Sequence, residues 1–181
     1  MSIQVPMRFD DQPLLWTVDA VYSAKECQQM ISLIQNSSPE LATNNPIYRN
    51  QHRVIIDSPA LARQLFQRLK SSLPATMGSL HLHALNDRLR FYHYSKGQYF
   101  RPHMDHWYRP SPRQITLLSV LVYFNGDFHG GETEFLEQHQ QIIVPRPGLA
   151  AIFQHKIRHQ GCEVLEGHKF AMRTDVIYEQ R

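Results

Sequence analysis

At 181 residues, 42% hydrophobic and 19% charged, the chain has enough apolar material to bury a sizeable core and too little charge for a disordered polymer. Its formal net charge of +3 comes without a long Lys/Arg run, so it permits an acidic partner but is no evidence for nucleic acid. The longest apolar run, Ile115–Phe124, is far too short to span a bilayer as a helix.

Cys27 and Cys162 lie far apart and form no metal-ligand spacing, which reads as two free thiols in a reducing compartment. The opening MSIQVPMRFDDQP has no charged region leading into an apolar one. The expectation is a cytoplasmic protein of one domain over 1–181, with neither membrane nor nucleic-acid partner. The sequence says nothing about oligomeric state.

Taken in order, Leu14, Leu15, Trp16 and Val18 suggest a lead-in strand. Ser23 and Glu26 have capping-box spacing, and Cys27, Met30, Ile31 and Ile34 follow at helical intervals, predicting a helix over 23–36. Residues 37–52, rich in Asn, Ser and Pro, read as a loop, and Arg53–Ile56 as a short strand. Asp57-Ser58-Pro59 starts a second helix with Leu61, Leu65, Phe66 and Leu69 on one face, ending before Pro74. These two helices, about 20–75, predict a support layer against one face of a sheet.

The period then changes. Leu89, Phe91 and Tyr94 sit in a β-type run, Ser95–Gln98 is a turn, and Tyr99–His106 is a strand candidate. Ile115–Phe124 is almost continuously apolar and predicts a central strand covered on both faces. Further strands are expected at Glu132–Leu136, Gln141–Val144, Leu149–Phe153 and Phe170–Tyr178, with His159 in a loop before the last. Seven or eight short strands between Gly/Pro turns after residue 88 spell a sandwich or barrel. The fold class is α+β, mainly β.

In a strand, His103 and Asp105 project to one face. One imidazole and one carboxylate form two-thirds of the facial triad that suits non-haem Fe(II). Alone the pair is weak, since the chain has eleven histidines. His155 and His159 stand four apart, as in half a helical zinc site, but Lys156 follows His155 where a zinc protease has Glu.

Four ordered pieces carry a resemblance. The first is Tyr94-Ser-Lys-Gly97-Gln98-Tyr99-Phe-Arg-Pro-His103-Met-Asp105; the second, Leu117–Phe124 followed by Asn125-Gly-Asp and Gly130-Gly131-Glu132-Thr133-Glu-Phe135. The third is Pro147-Gly148, Phe153 and His159-Gln-Gly161, and the fourth is Lys169, ten positions after His159. Over about 88–178 the chain resembles the Fe(II)- and 2-oxoglutarate-dependent dioxygenases of the prolyl 4-hydroxylase-like branch. It lacks one position between Gln98 and Tyr99 relative to that branch's pattern.

The resemblance implies a double-stranded β-helix, or jelly roll, with N-terminal supporting helices. It implies iron ligands His103, Asp105 and His159, and a cosubstrate site with Lys169 on the distal carboxylate of 2-oxoglutarate. Tyr94 would donate to the same carboxylate, Thr133 would face the site, and Arg173 is the rival anchor. His155 becomes a neighbouring packing residue. His93, Arg101, Trp107, Tyr108 and Arg109 flank the mouth in sequence. The implied reaction is oxidoreduction with Fe(II), 2-oxoglutarate and O2, with ascorbate as an accessory reductant. It would hydroxylate an unactivated C–H, first of all on a prolyl residue of a protein or peptide, with succinate and CO2 as co-products. Alternatives left open are a free amino acid or other small molecule, and a silent module that binds metal or ligand. Oxidative dealkylation of nucleic acid is disfavoured by the mild charge.

Overall fold

The computed structural model describes residues 3–43, 45–137 and 140–181. Strand β1 (Leu15–Val18) leads into helix α1 (Ala24–Asn36). The expected capping box closes: the Ser23 hydroxyl accepts from the Glu26 N–H, and the Glu26 carboxylate accepts from the Ser23 N–H. After β2 (Glu40–Leu41) and β3 (His52–Asp57), helix α2 (Pro59–Leu69) starts on a Ser58 cap with Pro59 in its first turn. Arg68 of α2 donates to both oxygens of Glu26 (2.5 and 3.1 Å) and to the Val21 carbonyl (2.8 Å), which locks the two helices together.

The remaining strands are β4 (Thr76–Met77), β5 (Leu80–Leu85), β6 (Arg88–Ser95), β7 (Phe100–His103), β8 (Gln114–Tyr123), β9 (His129–Gly130) and β10 (Thr133–Phe135). Then come β11 (Gln141–Ile143), β12 (Ala150–Gln154), β13 (His159–Gly161), β14 (Val164–Glu166) and β15 (His168–Glu179). Among the described residues they form three antiparallel groups. The large sheet runs β1-β12-β8-β15-β6-β3-β2, with β5 and β4 added beside β15. The small sheet runs β11-β10-β13-β7, and β14 pairs with β9. The result is the expected jelly roll, mainly β, with its helices outside.

Alternation along β8 explains the layering. Leu118, Val120 and Val122 join Cys27, Ile31 and Ile34 of α1 and Leu65 and Leu69 of α2 in one buried cluster. Ser119, Leu121 and Tyr123 point the other way, into the roll. Covered on both faces, β8 can be apolar throughout. The Pro147-Gly148 corner needs its glycine: φ is +77°, and a Cβ there would lie 2.1 Å from the Tyr22 carbonyl oxygen.

Several expectations need correction. The ligand strand stops at His103, not His106, because the chain turns away from β13 there; Asp105 lies beyond it. His159 is not in a loop: it opens β13, paired with β10 and β7. The strands β2, β4, β5, β9 and β14 went unread, β2 within the 37–52 stretch expected to be loop. Four of them have only two or three residues, and β5 carries polar His81 and His83 among its leucines.

Leu65 is fully buried between α2 and the sheet. Leu65→Ala should lower unfolding stability by about 2–5 kcal/mol through lost transfer energy and a residual cavity. Chemical denaturation should show this as an earlier midpoint with an unchanged slope.

Candidate active site

The register of the small sheet makes the site. β13 runs antiparallel to β7 with His159 directly opposite His103, so the two imidazoles face one another with centroids 4.2 Å apart. Each ring is oriented by backbone. Nδ1 of His103 lies 2.8 Å from the Arg101 carbonyl, and Nδ1 of His159 lies 3.0 Å from the Ile157 carbonyl. A carbonyl only accepts, so Nδ1 carries the hydrogen in both rings and Nε2 keeps its lone pair for the site. Phe100 stacks on His103, while Phe153 and Phe135 flank His159.

Asp105 is held without a strand. Its N–H donates to the His155 carbonyl (2.8 Å), and its carbonyl accepts from Lys156 Nζ (3.0 Å). Its Oδ2 accepts from the Ser119 hydroxyl, pairs with Arg173 Nη2 (3.0 Å) and lies 3.9 Å from His159 Nε2. One donor atom each from His103, Asp105 and His159 falls within 4.8 Å of the others. Two imidazole nitrogens and a carboxylate oxygen, converging on one side, suit a divalent first-row metal with positions left open.

Charge states agree with ligation. Burial first, and then the neighbouring His159, pushes His103 down to about 4; burial also lowers His159. Both are neutral near pH 7. Burial alone would raise the Asp105 carboxyl, but Arg173 and then the surrounding histidines hold it below the ordinary carboxylate range.

The triad opens onto a cavity of about 500 Å³. At its far wall Lys169 is 2% exposed. Its Nζ donates to the Gly131 carbonyl (2.6 Å) and sits near the Tyr94 and Tyr123 rings, with no carboxylate partner among the described residues. Burial pushes it down to about 8. Tyr94, Thr133 and Gly161 line the same cavity, and Thr133 Oγ1 accepts from the Tyr123 hydroxyl (2.7 Å). Gly161 lies close to the Tyr94 hydroxyl, 3.7 Å from where a Cβ would be.

Arg173 also lines the cavity but is committed to Asp105 and to Asp175 (2.8 Å). These two carboxylates raise its pKa against the effect of burial. His155 stays out of the triad. Its Nδ1 meets Ser119 Oγ (2.9 Å) and its Nε2 meets Thr116 Oγ1 (3.1 Å). Trp107 and Tyr108 line the mouth. His93, Arg101 and Arg109 do not: His93 stacks on Phe170, Arg101 covers Tyr99, and Arg109 donates to the Ile3 carbonyl. Sequence reasoning passed over Ser119, which bridges Asp105 and His155. Its signal was a hydroxyl inside the most apolar run of the chain. Arg49, Arg53, Arg90 and Asp175, all in the cavity wall, were also passed over.

Comparisons follow the same segment. The family model of the 2OG-Fe(II) oxygenase superfamily matches residues 89–174, from β6 into β15. No curated protein matches the chain. Solved structures do. The viral collagen prolyl hydroxylase of Paramecium bursaria Chlorella virus-1, in its 2OG complex, aligns at TM-score 0.70 and 20% identity over 93% of this chain and 98% of its own. A Pseudomonas putida prolyl-4-hydroxylase aligns at 0.67 and 15%, over 93% of each chain. A Trichoplax adhaerens prolyl hydroxylase, solved with a peptide fragment of the hypoxia inducible factor oxygen degradation domain, aligns at 0.70 and 15%, over 94% of this chain and 85% of its own. At these identities the structures speak to the fold.

Titration with Mn(II) should show one tight site, and His159→Ala or Asp105→Ala should abolish it while the circular dichroism spectrum is retained. Near-normal binding in either variant would remove that residue from the ligand set.

Proposed function

Because the chain belongs to the 2OG-Fe(II) oxygenase superfamily and is a 2-oxoglutarate-dependent dioxygenase, we propose that it hydroxylates a prolyl residue of a protein or peptide. His103 Nε2, His159 Nε2 and the Asp105 carboxylate would hold the Fe(II). An Fe(II) held there, with 2-oxoglutarate and O2 as cosubstrates, would supply the oxidation of an unactivated C–H bond, with succinate and CO2 as co-products.

The observation that carries the cosubstrate site is Lys169. A fully buried ammonium without a carboxylate partner is costly unless an anion reaches it. It sits in the same cavity as the triad. Lys169 would take the distal carboxylate of 2-oxoglutarate, with the Tyr94 hydroxyl as second donor. Thr133 and Leu121 would shape the channel between. Arg173 would act on Asp105, keeping it ionised and aimed, and not as the anchor. Phe100 and Phe153 exclude water around the histidines.

Support for a peptide comes from the rim, where exposed Tyr48, Met104 and Tyr108 surround the opening, and from the peptide fragment with which the Trichoplax neighbour was solved. A cytoplasmic location fits two free thiols, and no helix among the described residues is long and apolar enough to cross a membrane.

Anaerobic addition of Fe(II) and 2-oxoglutarate should give a visible charge-transfer band that disappears in His159→Ala. Under air, proline-containing peptides should drive succinate formation; a well-folded protein with neither band nor succinate would refute the assignment.

Lys169→Ala should weaken 2-oxoglutarate by on the order of 3–5 kcal/mol, two to three or more powers of ten in Kd. The ammonium form binds the anion, and binding raises its pKa. Affinity should therefore be flat below about pH 8 and weaken up to tenfold per unit above it. That slope should vanish in Lys169→Ala. If Arg173→Ala weakens 2-oxoglutarate by that amount while Lys169→Ala does not, and no slope appears above about pH 8, Arg173 is the anchor.

A further inference from the structure

Past the triad, the inner face of the large sheet continues as a shelf toward its β2 edge. Register lays out the rows: Arg173 of β15 is opposite Arg90 of β6, and Ala171 is opposite Tyr92, which is itself opposite Arg53 of β3. Arg49 joins from the chain before β3, its guanidinium 4.9 Å from the Phe100 ring centroid and donating to the Ala42 carbonyl. All four arginines line the cavity that holds His103, Asp105 and His159.

They are not equivalent. Arg173 pairs with Asp105 and Asp175, and Arg90 pairs with Asp175 (3.2 Å). Arg49 and Arg53 have no carboxylate within ion-pair distance among the described residues. Glu40, in register opposite Arg53, is exposed and makes no ion pair with it. Half-buried Arg53 is held below the ordinary arginine value, by burial first and then by the charge of Arg49; Tyr92 opposes them, and Arg90 and Arg88 add smaller lowering effects.

The charge balance sharpens the point. The cavity wall carries Arg49, Arg53, Arg90, Lys169 and Arg173 against Asp105 and Asp175. A divalent metal and a doubly charged cosubstrate add no net charge. The positive excess therefore persists in the loaded enzyme, and the guanidinium groups without a carboxylate partner among the described residues, Arg49 and Arg53, share the cavity wall with exposed Tyr48. Guanidinium groups bind carboxylates through paired, charge-assisted hydrogen bonds.

We infer that the substrate is an acidic peptide, in which an Asp or Glu beside the oxidised residue is bound by Arg49 and Arg53. The inference rests on the peptide reading above. The selection is electrostatic, so it weakens with salt.

The test uses the whole enzyme with Fe(II), 2-oxoglutarate and matched proline peptides flanked by Glu, Gln or Lys. Succinate formation gives KM and kcat, and fluorescence anisotropy of labelled peptides on the Mn(II)-loaded protein gives Kd. The Glu peptide should show KM and Kd about tenfold or more below the others, with the advantage shrinking at high salt. Arg53→Gln should erase the advantage through KM, and Arg53→Glu should turn the preference toward Lys. A thermal melt confirms that each variant is folded.

Equal constants for the three peptides, unchanged in Arg53→Gln, would overturn the inference and leave the peptide reading standing. Turnover of N-acetylproline but of no peptide, with KM raised in Arg53→Gln, would overturn the peptide reading and keep the anion site. Failure of every anionic probe to bind would overturn the inference outright.

Discussion

The site depends on one strand pairing, the antiparallel contact of β13 with β7. It sets His159 opposite His103 and turns each Nδ1 onto a nearby carbonyl. Backbone amides thus perform the task that an outer carboxylate performs in many metal sites. A register slip of one residue would send His159 to the opposite face. Slippage is resisted from outside the pair. β10 holds β13 from its other side, with Phe135 opposite His159, and Phe153 closes against that ring. The third candidate ligand is positioned differently. Asp105 stands in irregular chain, fixed through both backbone groups to residues 155 and 156 and through its carboxylate to the large sheet. The triad is therefore built across the two sheets, and its geometry records how they pack.

A second theme is the cost of charge inside a jelly roll. Asp105, Asp175, Arg90 and Arg173 form a connected group whose partners are all within the protein. Ser119 adds a hydrogen bond at its centre, and His155 braces Ser119. Such a network is stable because each buried charge has a neighbour of opposite sign, and removing one member exposes the rest to the full desolvation cost. Lys169, Arg49 and Arg53 are the cavity cations left outside it.

The sequence was legible where short-range rules act. Capping residues, the Pro59 helix start and the apolar β8 run announced α1, α2 and the central strand, and the spacing of His103, Asp105, His159 and Lys169 carried the family pattern. It was less legible where tertiary pairing decides. β9 and β14 have two and three residues and exist because Gly130 and Val164 meet across the roll. Asp105 reaches the histidines although its strand ends before it, so the alternation argument led to the right neighbours for an incomplete reason. Arg49 and Arg53 lie in a stretch that reads as loop and short strand. No local pattern shows that the sheet curls to bring them over residues fifty positions later. Ser119 was the readable exception, a polar residue with no cause to sit in a buried strand unless something inside needed it.

The inward face of β15 shows how one strand separates two uses of the same charge. Lys169, Ala171, Arg173 and Asp175 alternate inward, two residues apart. Asp175 lies next to Arg173 along that face and, with Asp105 across the roll, neutralises it. Among the described residues no carboxylate pairs with Lys169, which meets the Tyr94 and Tyr123 rings and the Gly131 carbonyl and feels Cys162 and Glu132 only at longer range. The guanidinium, ionised at any accessible pH and able to bridge two carboxylates, occupies the structural position. The ammonium, which burial pushes down to about 8, has no carboxylate partner among the described residues, and it is there that an anionic cosubstrate is proposed to bind. Ala171 between them lines the same cavity with only a methyl group. A lysine at 173 could not meet Asp105 and Asp175 with the two planar contacts of a guanidinium. The order of the two cations along β15 therefore sets which end of the cavity is braced by carboxylates and which end keeps a cation for the proposed cosubstrate.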